Sequence, residues 1–150
     1  MGHSYSSSLF HVIFSTKDRH KWIDAKLRER LFPYLGGIAR GNGMQLLAAG
    51  GVADHVHLLV CIPASLALAK AVQLIKGGSS KWIHETFQEQ REFAWQEGYG
   101  AFSVSFSGIE DTIAYIRSQE EHHRNRSFEE EFVAFLARHR LEFDRRHVFG

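Results

Sequence analysis

Two imidazoles two residues apart on a strand, and a phenol and a carboxamide four apart on a helix, are the side chains in this sequence best placed for chemistry. In the segment HVHLLVCI (55–62) the strand period of two sends Val56, Leu58, Val60 and Ile62 to one face, an unbroken apolar set that belongs to a core. His55 and His57 then point the other way, with Cα atoms about 6.5–7 Å apart, near enough to converge on one ion. Two half-exposed histidines on a solvated sheet face fit the same pattern. Two ligands leave a metal site incomplete, so a third has to come from elsewhere in the chain. Over 108–123 the helical period groups Ile109, Ile113 and Ile116 as a packing stripe and turns Tyr115, Gln119 and His122 to a different side. Tyr115 and Gln119 stand one turn apart, about 5–6 Å. Such a pair suits transesterification, in which a phenolate attacks a phosphodiester while a cation held by two imidazoles and the Gln oxygen polarises the phosphate. Taken alone, a tyrosine and a glutamine on a solvated helix fit equally.

The elements that position these residues follow from period and punctuation. Residues 9–16 (LFHVIFST) are β-branched and aromatic and read as a strand. Pairing with the His55 strand would bring His11 to the same sheet side, as a structural histidine. Asp24 caps a helix over 25–40 with Leu27, Leu31, Leu35 and Ile38 as its apolar stripe; Pro33 and Gly36-Gly37 predict a kink or interruption. Strands over 44–52 and 55–62, with Ala53-Asp54 between them, have hairpin spacing. A helix over 66–76 is predicted to break at Gly77-Gly78 and resume over 79–88, and residues 93–105 read as a strand region. Ser127 and Glu130 form a capping box opening a last helix that buries Phe128, Phe132, Phe135 and Leu136. The order β-α-β-β-α-β-α-α predicts an α+β, ferredoxin-like (split βαβ) antiparallel sheet, with helices on one face and extra C-terminal helices.

Composition narrows the class. The 150 residues carry 18 basic and 17 acidic side chains, a net charge of +1, so no global basic field marks a nucleic-acid binder and any such partner needs a local patch. The single cysteine, Cys61, excludes an internal disulfide framework and multi-cysteine zinc sites, which makes a cytoplasmic protein the simplest expectation. No stretch of about 18 uninterrupted apolar residues is present, so no membrane partner is expected.

Four motifs in order carry a family resemblance: DHVHLLV (54–60), KGGSSKWI (76–83), WQEGYGAFSVS (95–105) and Tyr115-x-x-x-Gln119. Together they resemble the single-tyrosine HUH transposases of bacterial insertion sequences, including the REP-associated tyrosine transposases. The resemblance implies cleavage and rejoining of single-stranded DNA beside hairpin ends through a 5′-phosphotyrosine. It implies Tyr115 as nucleophile, a divalent ion held by His55, His57 and Gln119, and a homodimer whose tyrosine helix can serve the partner's site. Ligand preference favours zinc or manganese for two imidazoles, whereas the resemblance implies Mg2+ or Mn2+. Lys17, Arg19, Lys76, Ser79, Ser80, Lys81, His122 and Arg124 are the candidate DNA contacts. Residues 1–8 are expected to be a disordered tail, 9–126 the catalytic domain and 127–150 its helical extension. A domesticated module of the same fold that binds hairpin DNA or RNA without cutting is the alternative, and the intact His55, His57, Tyr115 and Gln119 set argues against it.

Overall fold

A computed structural model describes residues 2–123 and 126–150. The regular elements are β1 (Leu9–Ser15), α1 (Ala25–Gly41), β2 (Gln45–Val52), β3 (His55–Cys61), α2 (Leu68–Thr86), β4 (Gly100–Ser103), α3 (Ile109–Arg117), α4 (Gln119–His122) and α5 (Phe128–Arg138). The four strands form one antiparallel sheet in the order β2-β3-β1-β4, the split βαβ topology expected from the element order. Its centre is the β1–β3 ladder, in which Ile13 faces His57 and Ser15 faces His55.

Strand alternation divides the structure into layers. Val12 and Phe14 of β1 with Val56, Leu58 and Val60 of β3 face α1 and α2, where Leu27, Leu31, Leu35, Val72, Ile75 and Ile83 close the main core. The opposite face is covered too: Ile116 of α3 packs on Ala48 and Leu59, and Phe128, Phe132 and Leu136 of α5 pack on Ile13 and Phe102. The extra C-terminal helices thus roof the histidine face, which strand alternation alone would leave open to solvent. Among the described residues no helix is long and apolar enough to cross a membrane.

Several elements differ from their sequence expectation, each for a local reason. α1 runs unbroken through Pro33, because Pro33 and Glu29, whose carbonyl loses its partner, both lie on the exposed side where water can satisfy it. α2 runs through Gly77-Gly78, since Gly78 sits against Ile38 of α1 and tertiary packing outweighs propensity. Strand pairing in 93–105 is confined to β4 and a Thr16–Trp95 bridge, because the intervening carbonyls of Gln96, Glu97 and Gly98 all accept from Lys76 Nζ. The helix expected over 108–123 divides at Ser118, whose hydroxyl turns back to the carbonyls of Ala114 (3.0 Å) and Tyr115 (3.1 Å).

Candidate active site

His55 and His57 are fully buried, at 0% exposure, not half-exposed on a solvated face. The reason is the roof: α3 lies against β2 so closely that Gly50, the register partner of His57, has no room for a Cβ, which would sit 2.1 Å from the Ile116 carbonyl oxygen. That close approach sets Tyr115 over the imidazoles, its ring centroid 5.8 Å from His57 and 6.0 Å from His11. Gln119, 2% exposed, opens α4 and donates its amide N–H to the Tyr115 carbonyl (3.2 Å), which aims its Oε1 at His55 Nε2 (3.4 Å) and His123 Nε2 (3.1 Å).

Two residues outside the sequence-derived site complete the cluster. His123 stands one helical turn beyond Gln119. Glu131 of α5, 1% exposed, places Oε1 at 2.9 Å from His57 Nε2, 3.1 Å from His123 Nε2 and 3.4 Å from His55 Nε2. Its other oxygen accepts the Tyr115 hydroxyl hydrogen bond. One donor atom from each of His55, His57, His123 and Glu131 lies within 4.8 Å of all the others. The sequence held a signal for Glu131: it occupies the stripe Phe128, Glu131, Phe132, Phe135, Leu136, a carboxylate in a core-facing position. Its neighbours Glu129 and Glu130 lie outside the core, so Glu131 is set apart from them in the sequence only by its place in that stripe.

The outer partners fix which nitrogen faces inward. His55 Nδ1 bonds Asp54 Oδ1 (2.7 Å), His57 Nδ1 bonds His11 Nε2 (2.8 Å) and His123 Nδ1 donates to the Arg126 carbonyl (2.6 Å), so all three Nε2 atoms point into the cluster. Burial, reinforced by His57, lowers the His11 pKa to about 3, keeping it neutral. Burial likewise lowers His57 to about 4. For His55 burial is outweighed by hydrogen bonds to Asp54 and Glu131, which raise it to about 8. Burial would raise Glu131, but hydrogen bonds from His123, His55 and His57 hold it well below the usual carboxylate range. Burial and then the Glu131 contact push the Tyr115 phenol above its ordinary value. The donor set fits a cation. The Nε2 atoms face the acceptor oxygens of Glu131 and Gln119 while each Nδ1 is held from behind, an arrangement that either a proton on each ring or a bound metal completes.

The candidate DNA residues separate into groups. His122 stacks on Tyr115 with centroids 4.5 Å apart. Lys17 is exposed at the end of β1, and Arg19 pairs with Glu129 (2.6 Å). Ser80 and Lys81 lie on α2, behind the sheet from the histidines. Ser79 requires correction as a DNA contact: it is buried, donates to the Ile75 carbonyl (2.7 Å) and accepts from Trp95 Nε1 (3.0 Å). Lys76 is likewise drawn inward to its three carbonyls. Arg124 lies outside the described residues.

The fold is that of insertion-sequence transposases. A crystal structure of a putative transposase from Deinococcus radiodurans superposes with a TM-score of 0.65 at 25% identity, covering 78% of this chain and 97% of that one. A REP-associated tyrosine transposase bound to a REP hairpin superposes with a TM-score of 0.56 at 13% identity, covering 77% of this chain and 68% of that one. The chain belongs to the IS200-like transposase family, whose model matches residues 4–119. It is 27% identical over 117 residues to the ISDra2 transposase TnpA of D. radiodurans, spanning 75% of this chain and 84% of that relative. It is 26% identical over 123 residues to the transposase of insertion sequence element IS200 of Salmonella typhimurium, spanning 77% and 80%.

Proposed function

We propose that this transposase cleaves and rejoins single-stranded DNA with hairpin ends, using Tyr115 as the nucleophile beside a divalent ion, Mg2+ or Mn2+, held by His55, His57 and Gln119. The observation that carries the reading is the position of the Tyr115 ring, 5.8 Å from the His57 ring and one turn before the Gln119 carboxamide whose oxygen faces His55. A divalent ion there would supply Lewis-acid polarisation of the scissile phosphate. The Tyr115 oxygen attacks phosphorus, the bond from phosphorus to the 3′ oxygen breaks, and the released 3′ oxygen ends with the proton. The 5′ phosphate stays on the tyrosine until a second 3′-hydroxyl attacks it and frees the phenol. One phosphodiester is exchanged for another, so no nucleoside triphosphate is consumed.

The substrate approaches along the open side of Tyr115, a cleft lined by His11, Asp111, Thr112, Phe135 and Arg138. His122, stacked on the phenol, holds its ring plane. Within one chain Tyr115 lies over that chain's own histidines, the arrangement a nucleophile acting in cis needs, and in a homodimer the same helix α3 could serve the partner's site. The test is incubation with 3′-labelled single-stranded hairpin DNA from the flanks of the protein's own gene, with and without Mn2+. We expect a covalent adduct that Tyr115→Phe abolishes and His57→Ala weakens. An undiminished adduct in Tyr115→Phe refutes the nucleophile; hairpin binding without cleavage under any metal favours the non-cleaving module.

A further inference from the structure

Five side-chain atoms converge where the proposed site needs three: Nε2 of His55, His57 and His123, with Gln119 Oε1 and Glu131 Oε1. We propose that His123 and Glu131 are resident ligands of the same ion, giving a centre of three imidazoles, one carboxylate and one amide oxygen that prefers Mn2+ to Mg2+. The inference rests on the reading of His55, His57 and Gln119 as metal ligands and extends it to residues beyond the span 4–119 that the family model matches.

Hydrogen-bond accounting carries the first part. His123 Nδ1 faces the Arg126 carbonyl, which can only accept, so that nitrogen bears the hydrogen. Nε2 then faces Glu131 Oε1 and Gln119 Oε1, both 3.1 Å away and both acceptors, the Gln119 oxygen being fixed by its N–H bond to the Tyr115 carbonyl. His55 repeats the pattern, with Nδ1 on the Asp54 carboxylate and Nε2 facing the same two oxygens at 3.4 Å. Acceptors arranged around a common point, with rings oriented from behind, are a ligand set; a second proton on each ring is the only protein-borne substitute.

The anchoring of α5 carries the second part. A carboxylate brought in by a loose segment could be a temporary occupant. Glu131 is instead flanked on its own helix by Phe128, Phe132 and Leu136, all buried against Ile13 and Phe102, and Phe132 packs onto Gly100, where a Cβ would come within 2.5 Å of the ring. Ser127 caps the first turn, accepting from the Glu130 amide. Glu131 therefore belongs to the folded site, and its second oxygen, holding the Tyr115 hydroxyl, ties the nucleophile to the ion through one carboxylate. Three imidazoles shift preference away from Mg2+, which favours oxygen ligands and retains its water. Five donors exceed the four of a tetrahedral zinc site, whereas Mn2+ accepts mixed nitrogen and oxygen donors and keeps a place for a phosphate oxygen.

The test needs no DNA. The full chain, freed of metal with a chelator, is titrated with Mn2+ alone, and free Mn2+ is followed by electron paramagnetic resonance. One ion per chain is expected, retained against an equal concentration of Mg2+. Glu131→Gln and His123→Gln are each expected to weaken Mn2+ binding by at least about 10–100-fold, the loss that even an outer partner's removal causes. Nitrogen modulation of the bound Mn2+ signal should count three imidazoles in the wild type and two in His123→Gln, a readout that survives if Glu131→Gln fails to fold. Wild-type or tighter Mn2+ affinity in both variants, with His57→Ala losing it, overturns this inference and leaves the three-ligand reading standing. Wild-type affinity in His57→Ala overturns that reading itself.

Discussion

Replacing Gly50 with alanine is expected to lift the tyrosine helix off the sheet. An ideal Cβ at this position would stand 2.1 Å from the Ile116 carbonyl oxygen, 3.0 Å from its carbon and 3.1 Å from Ile116 Cγ2. Non-bonded carbon contacts settle at about 3.5 Å, so the last turn of α3 must retreat by about 1 Å or more. No flexible side chain can absorb the shift, because the obstructing atom is backbone. Overpacking of this kind costs about 1–3 kcal/mol, and the rigid contact puts Gly50→Ala at the upper end. The same movement carries Tyr115 and Gln119 away from the imidazoles, and a 1 Å misplacement of a reacting group can cost about 100-fold in rate. Urea unfolding should show a lower midpoint with an unchanged slope, and the rate of tyrosine–DNA adduct formation should fall about 100-fold. A variant with the wild-type midpoint and wild-type adduct rate refutes the claim that the β2–α3 contact sets the site.

Two further outcomes test the packing and the electrostatics. Gly77 lies exposed inside α2, and a methyl group added there would meet nothing within 4 Å, so Gly77→Ala should stabilise the protein by about 0.5–1 kcal/mol in urea unfolding; no gain would mean that α2 does not run continuously through this residue. In the metal-free protein His11 and His57, lowered to about 3 and 4, stay neutral while the unfolded chain protonates them below 6.5. The unfolded state then binds up to two more protons, and stability should fall with decreasing pH between 6.5 and 4 by at most about 3 kcal/mol per pH unit. His55, raised to about 8, contributes stability that is present below 6.5 and lost as pH rises through 8, so thermal melts should peak near neutrality. A melting temperature that is flat or rises towards pH 4 contradicts the buried neutral pair.

The sequence by itself determined the order of the elements and brought together part of the candidate site. Alternation in HVHLLVCI placed His55 and His57 on the face opposite the core, and four-residue spacing put Tyr115 with Gln119, because periods of two and 3.6 are local properties of the backbone. Local signals failed where packing outweighed them: α1 and α2 continue through residues that weaken helices, since each is fastened along its buried face to the sheet. Burial of the histidines and recruitment of His123 and Glu131 belonged to tertiary structure alone. Glu131 is 74 residues from His57 in the chain and reaches it only because the Phe128, Phe132 and Leu136 side of α5 finds its apolar partner on the far face of the sheet. A carboxylate in that stripe is stable only when hydrogen-bonded partners await it, and only the folded sheet could supply them.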